Sequence, residues 1–129
     1  MRKAFIIDDD PIHQKIAQIM LNKHKLFDEY TSYTEAIYAL EYLKDHKDIP
    51  DNLPDVILLD LNMPVLNGWG FLDQYETLMP DLAKKADIYI VSSSVDQNDK
   101  LRSKAYSYVK GFISKPISSA LLVSLLKVD

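Results

Sequence analysis

The chain has 129 residues, 47% of them apolar and 26% charged, which suits one domain with a core of its own. With 15 basic and 19 acidic residues the net charge is −4, which argues against the basic face that nucleic acid or an anionic membrane surface attracts. The absence of cysteine excludes disulfides and thiolate metal sites, and the first apolar run, Ala4 to Ile7, is too short for a signal peptide or membrane span, so the expectation is a soluble, cytoplasmic protein.

The first strand is expected in KAFIID at 3–8. Asp10 then reads as an N-cap and Pro11 as the first helical residue, with Ile12, Ile16, Ile19 and Met20 as the apolar stripe of the first helix. FDEYTSY at 27–33 is polar and weak, the mark of an edge strand. A second helix follows Thr34 with Ala36, Ile37, Leu40 and Leu43. After the loop IPDNLP at 49–54, DVILLD at 55–60 reads as the third strand. The loop MPVLNG leads into a helix from Gly68 to Leu78 that carries Phe71, Leu72 and Tyr75. DIYIVSS at 87–93 is the fourth strand, Asp96 or Asn98 caps a helix through Leu101 and Ala105, and GFISK at 111–115 is the fifth strand. Ser118 caps the last helix, SALLVSLLK.

Strand and helix thus alternate five times across a single domain, 1–129. The first, third and fourth strands are continuously apolar, as strands covered on both faces are. The expected architecture is α/β, a parallel sheet with helices on both sides and right-handed crossovers. Such sheets bind ligands beyond the carboxyl ends of their strands. Asp8 and Asp9, Asp60, Ser92 and Ser93, and Lys115 all fall at strand ends and should converge on one mouth.

Three carboxylates at one mouth repel; two unit charges about 4 Å apart cost roughly 1 kcal/mol in water and about 4 at an effective dielectric of 20. A hard cation relieves this, and Mg2+ is the natural choice for oxygen donors. A metal beside a carboxylate also suits phosphoryl transfer to an Asp oxygen, with a lysine and a hydroxyl holding the remaining phosphoryl oxygens.

The motifs IIDDDP, DVILLDLNMP, VLNGWGF, IVSSS and GFISKP, in this order and on these elements, resemble the receiver domain of two-component response regulators. The resemblance covers essentially the whole chain. It implies a flavodoxin-like (βα)5 fold with sheet order 2-1-3-4-5, an order known for this family rather than derived from the residues. It implies that Asp60 is the phosphoacceptor and that Asp8, Asp9 and Asp60 bind Mg2+, with the backbone carbonyl of Asn62 completing the metal's protein ligands. Ser92 matches the switch hydroxyl, Lys115 the phosphate-binding lysine and Phe112 the switch aromatic. The Lys115–Pro116 peptide is cis in the family's pattern. Asp10 is left to cap the first helix.

Two positions depart from the family pattern. Phe112 lacks the hydroxyl of the usual tyrosine, and Tyr108 stands where a glycine often ends the fourth helix. A tyrosine in a left-handed cap would be strained, so that helix is expected to end differently.

The resemblance further implies a histidine kinase or phosphotransfer protein as donor, a separate downstream protein as target, no nucleic acid, and a monomer or a phosphorylation-dependent homodimer. Asn62 and Ser94 are expected to flank the water that later hydrolyses the phosphoryl group. Three alternatives stand beside this reading. A haloacid-dehalogenase-like phosphatase wants an acid two residues after its nucleophile, where this chain has Asn62. A flavodoxin-like cofactor binder wants a Ser/Thr/Gly phosphate loop where this chain has DDDP. A receiver that takes no phosphate would act as a scaffold. His13, His24 and His46 read as surface helix residues away from the mouth, and Tyr106 and Tyr108 as a candidate interaction patch.

Overall fold

A computed structural model describes residues 2–94 and 96–127; residues 1, 95, 128 and 129 of the expected domain lie outside the described residues. The elements are β1 (Lys3–Ile7), α1 (Pro11–Lys23), β2 (Glu29–Tyr33), α2 (Ala36–Asp45), β3 (Val56–Leu59), α3 (Gly68–Leu78), β4 (Asp87–Ser92), α4 (Gln97–Ser103), β5 (Val109–Ser114) and α5 (Ser119–Leu126). Among the described residues, five strands form one parallel sheet in the order β2-β1-β3-β4-β5. This is the expected flavodoxin-like arrangement, with the polar β2 at an edge.

Alternation along the central strands divides the core in two. Phe5, Ile7, Ile57, Leu59, Ile88 and Ile90 face α2 and α3 and pack with Leu40, Leu43, Phe71, Leu72 and Tyr75. Ile6, Leu58, Tyr89, Val91 and Ile113 face the other way, toward Ala17 and Leu21 of α1 and Leu122 and Leu126 of α5. Two buried tyrosine hydroxyls tie the first layer together. Ala86 N–H donates to Tyr75 at 3.0 Å, and Tyr108 donates to the Leu72 carbonyl at 2.7 Å.

The expected strand ends move by a residue or two. Asp8 and Asp60 fall just beyond β1 and β3, so their carboxylates leave the ladder for the mouth. β5 starts at Val109 rather than Gly111, because Ile88 pairs with Val109 and Tyr89 with Gly111, leaving Lys110 in a bulge. α4 ends at Ser103 rather than Ala105, and Asp96 is its cap, accepting from Asn98 N–H at 2.9 Å.

Two side-chain expectations are overturned. The stripe Ile12, Ile16 and Ile19 is 70%, 40% and 55% exposed, while α1 buries Gln14, Ala17 and Leu21. Gln14 is turned inward because its amide donates to the carbonyls of Asp8 at 2.7 Å and Tyr33 at 2.9 Å, stitching β1 to β2. As expected, Tyr108 does not occupy a left-handed cap, since positive φ falls at Lys25 and Val65, but its place in an exposed patch is overturned. Its ring is buried in the core, so it is no part of an exposed patch, whereas the partly buried Tyr106 donates to Asp73 at 2.9 Å.

Candidate functional site

The mouth is built where β1 and β3 run out. Asp8 N–H donates to Tyr33 O at 3.0 Å, and Asp60 N–H donates to Ile7 O at 2.9 Å, so both residues are pinned by backbone at neighbouring strand ends. Asp10 N–H donates to Asp8 Oδ1 at 2.9 Å, orienting that carboxylate. Asp10 itself caps α1, accepting from Ile12 N–H at 2.9 Å, as expected.

Gly68 fixes the loop from β3 to α3. Its N–H donates to Leu61 O at 2.9 Å, and a Cβ there would lie 2.7 Å from Asp60 O and 2.8 Å from Leu61 Cα. The backbone approach that sets Asp60 in place therefore admits only glycine.

Asp8, Asp9 and Asp60 each bring a carboxylate oxygen to within 4.8 Å of the others. Asp8 and Asp60 are each 6% exposed, while Asp9 is open to solvent. Burial, then the charge of Asp8, pushes the Asp60 carboxyl up to about 6; Lys115 and the Asn62 N–H oppose the rise, and Asp9 adds to it. The cluster is thus under-compensated: three carboxylates face one ammonium. An all-oxygen donor set with excess negative charge fits a hard dication such as Mg2+.

Lys115 extends from the end of β5, where its N–H donates to Ser92 O at 2.9 Å. Its side chain is 10% exposed, and its Nζ lies 2.9 Å from Asp8 Oδ2 and 3.6 Å from Asp60 Oδ1. The Lys115–Pro116 peptide is cis. Ser92 is buried at the end of β4, and its hydroxyl accepts from Ser94 N–H at 3.0 Å. Asn62 is exposed on the loop after Asp60. Phe112 is partly buried on β5 against the α2/α3 side of the core, with the Lys100 ammonium 5.9 Å from its ring centre.

His13 was expected on a remote surface and stands at the mouth instead. Its Nδ1 lies 3.0 Å from Lys115 Nζ, 3.5 Å from Asp10 Oδ2 and 3.8 Å from Asp8 Oδ2. The signal for it was local: the first turn of a helix capped by Asp10 carries residue 13 back over the cap. A cleft of about 340 Å³ opens beside it, lined by His13, Ile16, Ser93, Lys115, Pro116 and Ile117. His24 and His46 lie at the C-terminal ends of α1 and α2.

The family model described as the response regulator receiver domain matches residues 4–127. The chain belongs to the response regulator receiver domain family. Its fold is that of the two-component response regulator from Cytophaga hutchinsonii, with a TM-score of 0.86, 26% identity, and coverage of 97% of this chain and 93% of that one. The phosphorylated cyanobacterial phytochrome response regulator RcpA is similar too, with a TM-score of 0.77, 25% identity, and coverage of 98% and 89%. Among curated proteins, the sensor histidine kinase CheAY of Helicobacter pylori is 30% identical over 73% of this chain and 11% of its own length. This receiver spans half or less of the length of the curated relatives it matches. Among the described residues, no helix is long and apolar enough to cross a membrane.

Proposed function

We propose that this receiver is a phosphorylation switch that accepts a phosphoryl group on Asp60 from a histidine kinase or phosphotransfer protein. The observation that carries the reading is the buried Asp60 carboxylate, held beside Asp8 and Asp9 with Lys115 Nζ 3.6 Å away. The similarity to RcpA, a receiver whose structure is of its phosphorylated form, supports it.

An Asp60 oxygen attacks phosphorus, the P–N bond to the donor imidazole breaks, and its electron pair stays on that nitrogen. Asp8, Asp9, Asp60 and the Asn62 carbonyl are the groups that would hold Mg2+, which offsets the charge gathered as two anions approach. Lys115 supplies an ammonium to a phosphoryl oxygen, and Ser92, released from Ser94 N–H, supplies a hydroxyl. The new group carries about −1.5 to −2 of charge. Phe112 then follows Ser92 inward. The surface it reshapes is α4, β5 and α5, where α4 buries little of itself and so moves at small cost. Water returns the site to rest by hydrolysing the acyl phosphate, so the chain acts on its own phosphoryl group rather than on a separate substrate.

The exposed Ile12, Ile16 and Ile19 of α1, of which Ile16 lines the cleft beside the mouth, offer apolar surface to the protein donor. The test is intact mass after incubation with acetyl phosphate. One added phosphoryl group is expected in Mg2+, and none in chelator or in Asp60→Asn. Absence of any adduct on the native chain in Mg2+ would overturn the proposal.

A further inference from the structure

His13 touches the lysine of the proposed reaction yet has no part in the proposed chemistry. It follows Asp10 and Pro11 on the first turn of α1, and its side chain is 40% exposed. An ammonium offers only donors. The Nδ1 that lies 3.0 Å from Lys115 Nζ therefore presents its lone pair, with the ring proton on Nε2. The carboxylates of Asp10 and Asp8 stand farther off, at 3.5 and 3.8 Å, beyond the ordinary hydrogen-bond range. Lys115 is thus the partner of that nitrogen.

The ammonium is shared unequally. Asp8 Oδ2 at 2.9 Å and His13 Nδ1 at 3.0 Å hold it, while Asp60 Oδ1 lies beyond bonding distance at 3.6 Å. A phosphoryl oxygen on Asp60 would give Nζ a new anionic acceptor on the Asp60 side, in competition with His13. Asp8 belongs to the same cluster as Asp60, so the lysine keeps that partner as it advances. His13 lies outside the cluster, so its bond is the one given up.

We propose that His13 is a positioning residue that parks Lys115 on the α1 side of the mouth in the unphosphorylated state. It acts only through the lysine and does not touch the phosphoryl group. The proposal rests on the reading of Asp60 as phosphoacceptor. Because the bond exists before transfer and is lost on it, its effect favours the resting state. Removing it should speed phosphorylation, by about 3- to 10-fold for one hydrogen bond to a charged group at a partly solvated site.

Two readouts test this. The first is the initial rate of phosphorylation by subsaturating acetyl phosphate, followed by intact mass. His13→Ala should react about 3- to 10-fold faster than the native chain. His13→Gln, whose amide oxygen restores an acceptor, should lie close to native. In a Lys115→Ala background, His13→Ala should change nothing further. An unchanged or slower His13→Ala, or an acceleration that persists without Lys115, overturns the proposal. The second readout is the crystal structure of unphosphorylated His13→Ala, which should bring Lys115 Nζ to within about 3.2 Å of Asp60 Oδ1. A lysine left in its native position overturns the latch by itself. A native chain that takes no phosphoryl group sinks the phosphoacceptor reading instead, and the crystal structure still decides the latch.

Discussion

Asp60→Asn should stabilise the metal-free protein, although it removes the residue on which the proposed chemistry depends. In the native fold the Asp60 carboxyl sits at about 6 rather than 3.8, chiefly through burial and then through the charge of Asp8. At pH 7.5 that difference corresponds to about 3 kcal/mol of unfavourable ionisation in the fold. Solvent reaching the open mouth screens part of this, which leaves about 1–2 kcal/mol. Asparagine keeps the shape and drops the charge. For a domain of this size the gain raises Tm by about 4–8 °C.

The pH dependence has a definite sign. Below about pH 3 the native and unfolded carboxyls are both protonated and the cost is absent. It grows as the unfolded carboxyl ionises while the native one holds its proton, and levels off above about pH 6. The advantage of Asp60→Asn should therefore shrink to about a third at pH 4.5. Thermal unfolding in chelator at the two pH values measures both. With Mg2+ added, the native chain should gain more stability than the variant, because the variant lacks one carboxylate ligand. No rise in Tm at pH 7.5, or an equal rise at pH 4.5, would refute the view that Asp60 is ionised against a penalty.

Gly68→Ala should cost about 2 kcal/mol in urea unfolding and slow phosphorylation, since the added methyl meets the backbone of Asp60 and Leu61; native stability with full activity would remove the role assigned to this loop. Tyr108→Phe should cost about 1–2 kcal/mol, because the Leu72 carbonyl loses its buried donor. A neutral substitution would mean that Leu72 O finds another partner. Ile16→Glu should leave labelling by acetyl phosphate within about twofold of native while slowing transfer from a phosphorylated protein donor by 10-fold or so, as expected when an apolar contact is lost from an interface. Equal slowing with both donors would place the damage in the mouth itself.

The mouth was legible because its residues end strands, and the topology of a doubly wound sheet carries strand ends to one place. Asp8, Asp60, Ser92 and Lys115 needed only the alternation of elements to be gathered. The α1 face was misread because two stripes compete on that helix. Ile12, Ile16 and Ile19 are the more apolar, but Gln14, Ala17 and Leu21 face the sheet, and the amide of Gln14 answers two carbonyls at the edge between β1 and β2. Periodicity cannot weigh a hydrogen bond against a hydrophobic surface. The different end of α4 was legible from the strain that a left-handed tyrosine would carry, but Tyr108 does not join an exposed patch, because its ring enters the core and its hydroxyl reaches the Leu72 carbonyl. His13 reads as remote because its partner, Lys115, is 102 residues away, and the local signal, its place on the first turn over the Asp10 cap, carries no mark of that lysine.

The central claim, that Asp60 carries the phosphoryl group, is tested most directly by locating the modification. The native chain is incubated with acetyl phosphate and Mg2+, reduced with borohydride, which converts an aspartyl phosphate to homoserine, and sequenced by tandem mass spectrometry. Homoserine at position 60, dependent on acetyl phosphate, is the expected result. An unmodified Asp60 in a chain that has gained a phosphoryl group elsewhere would contradict the account.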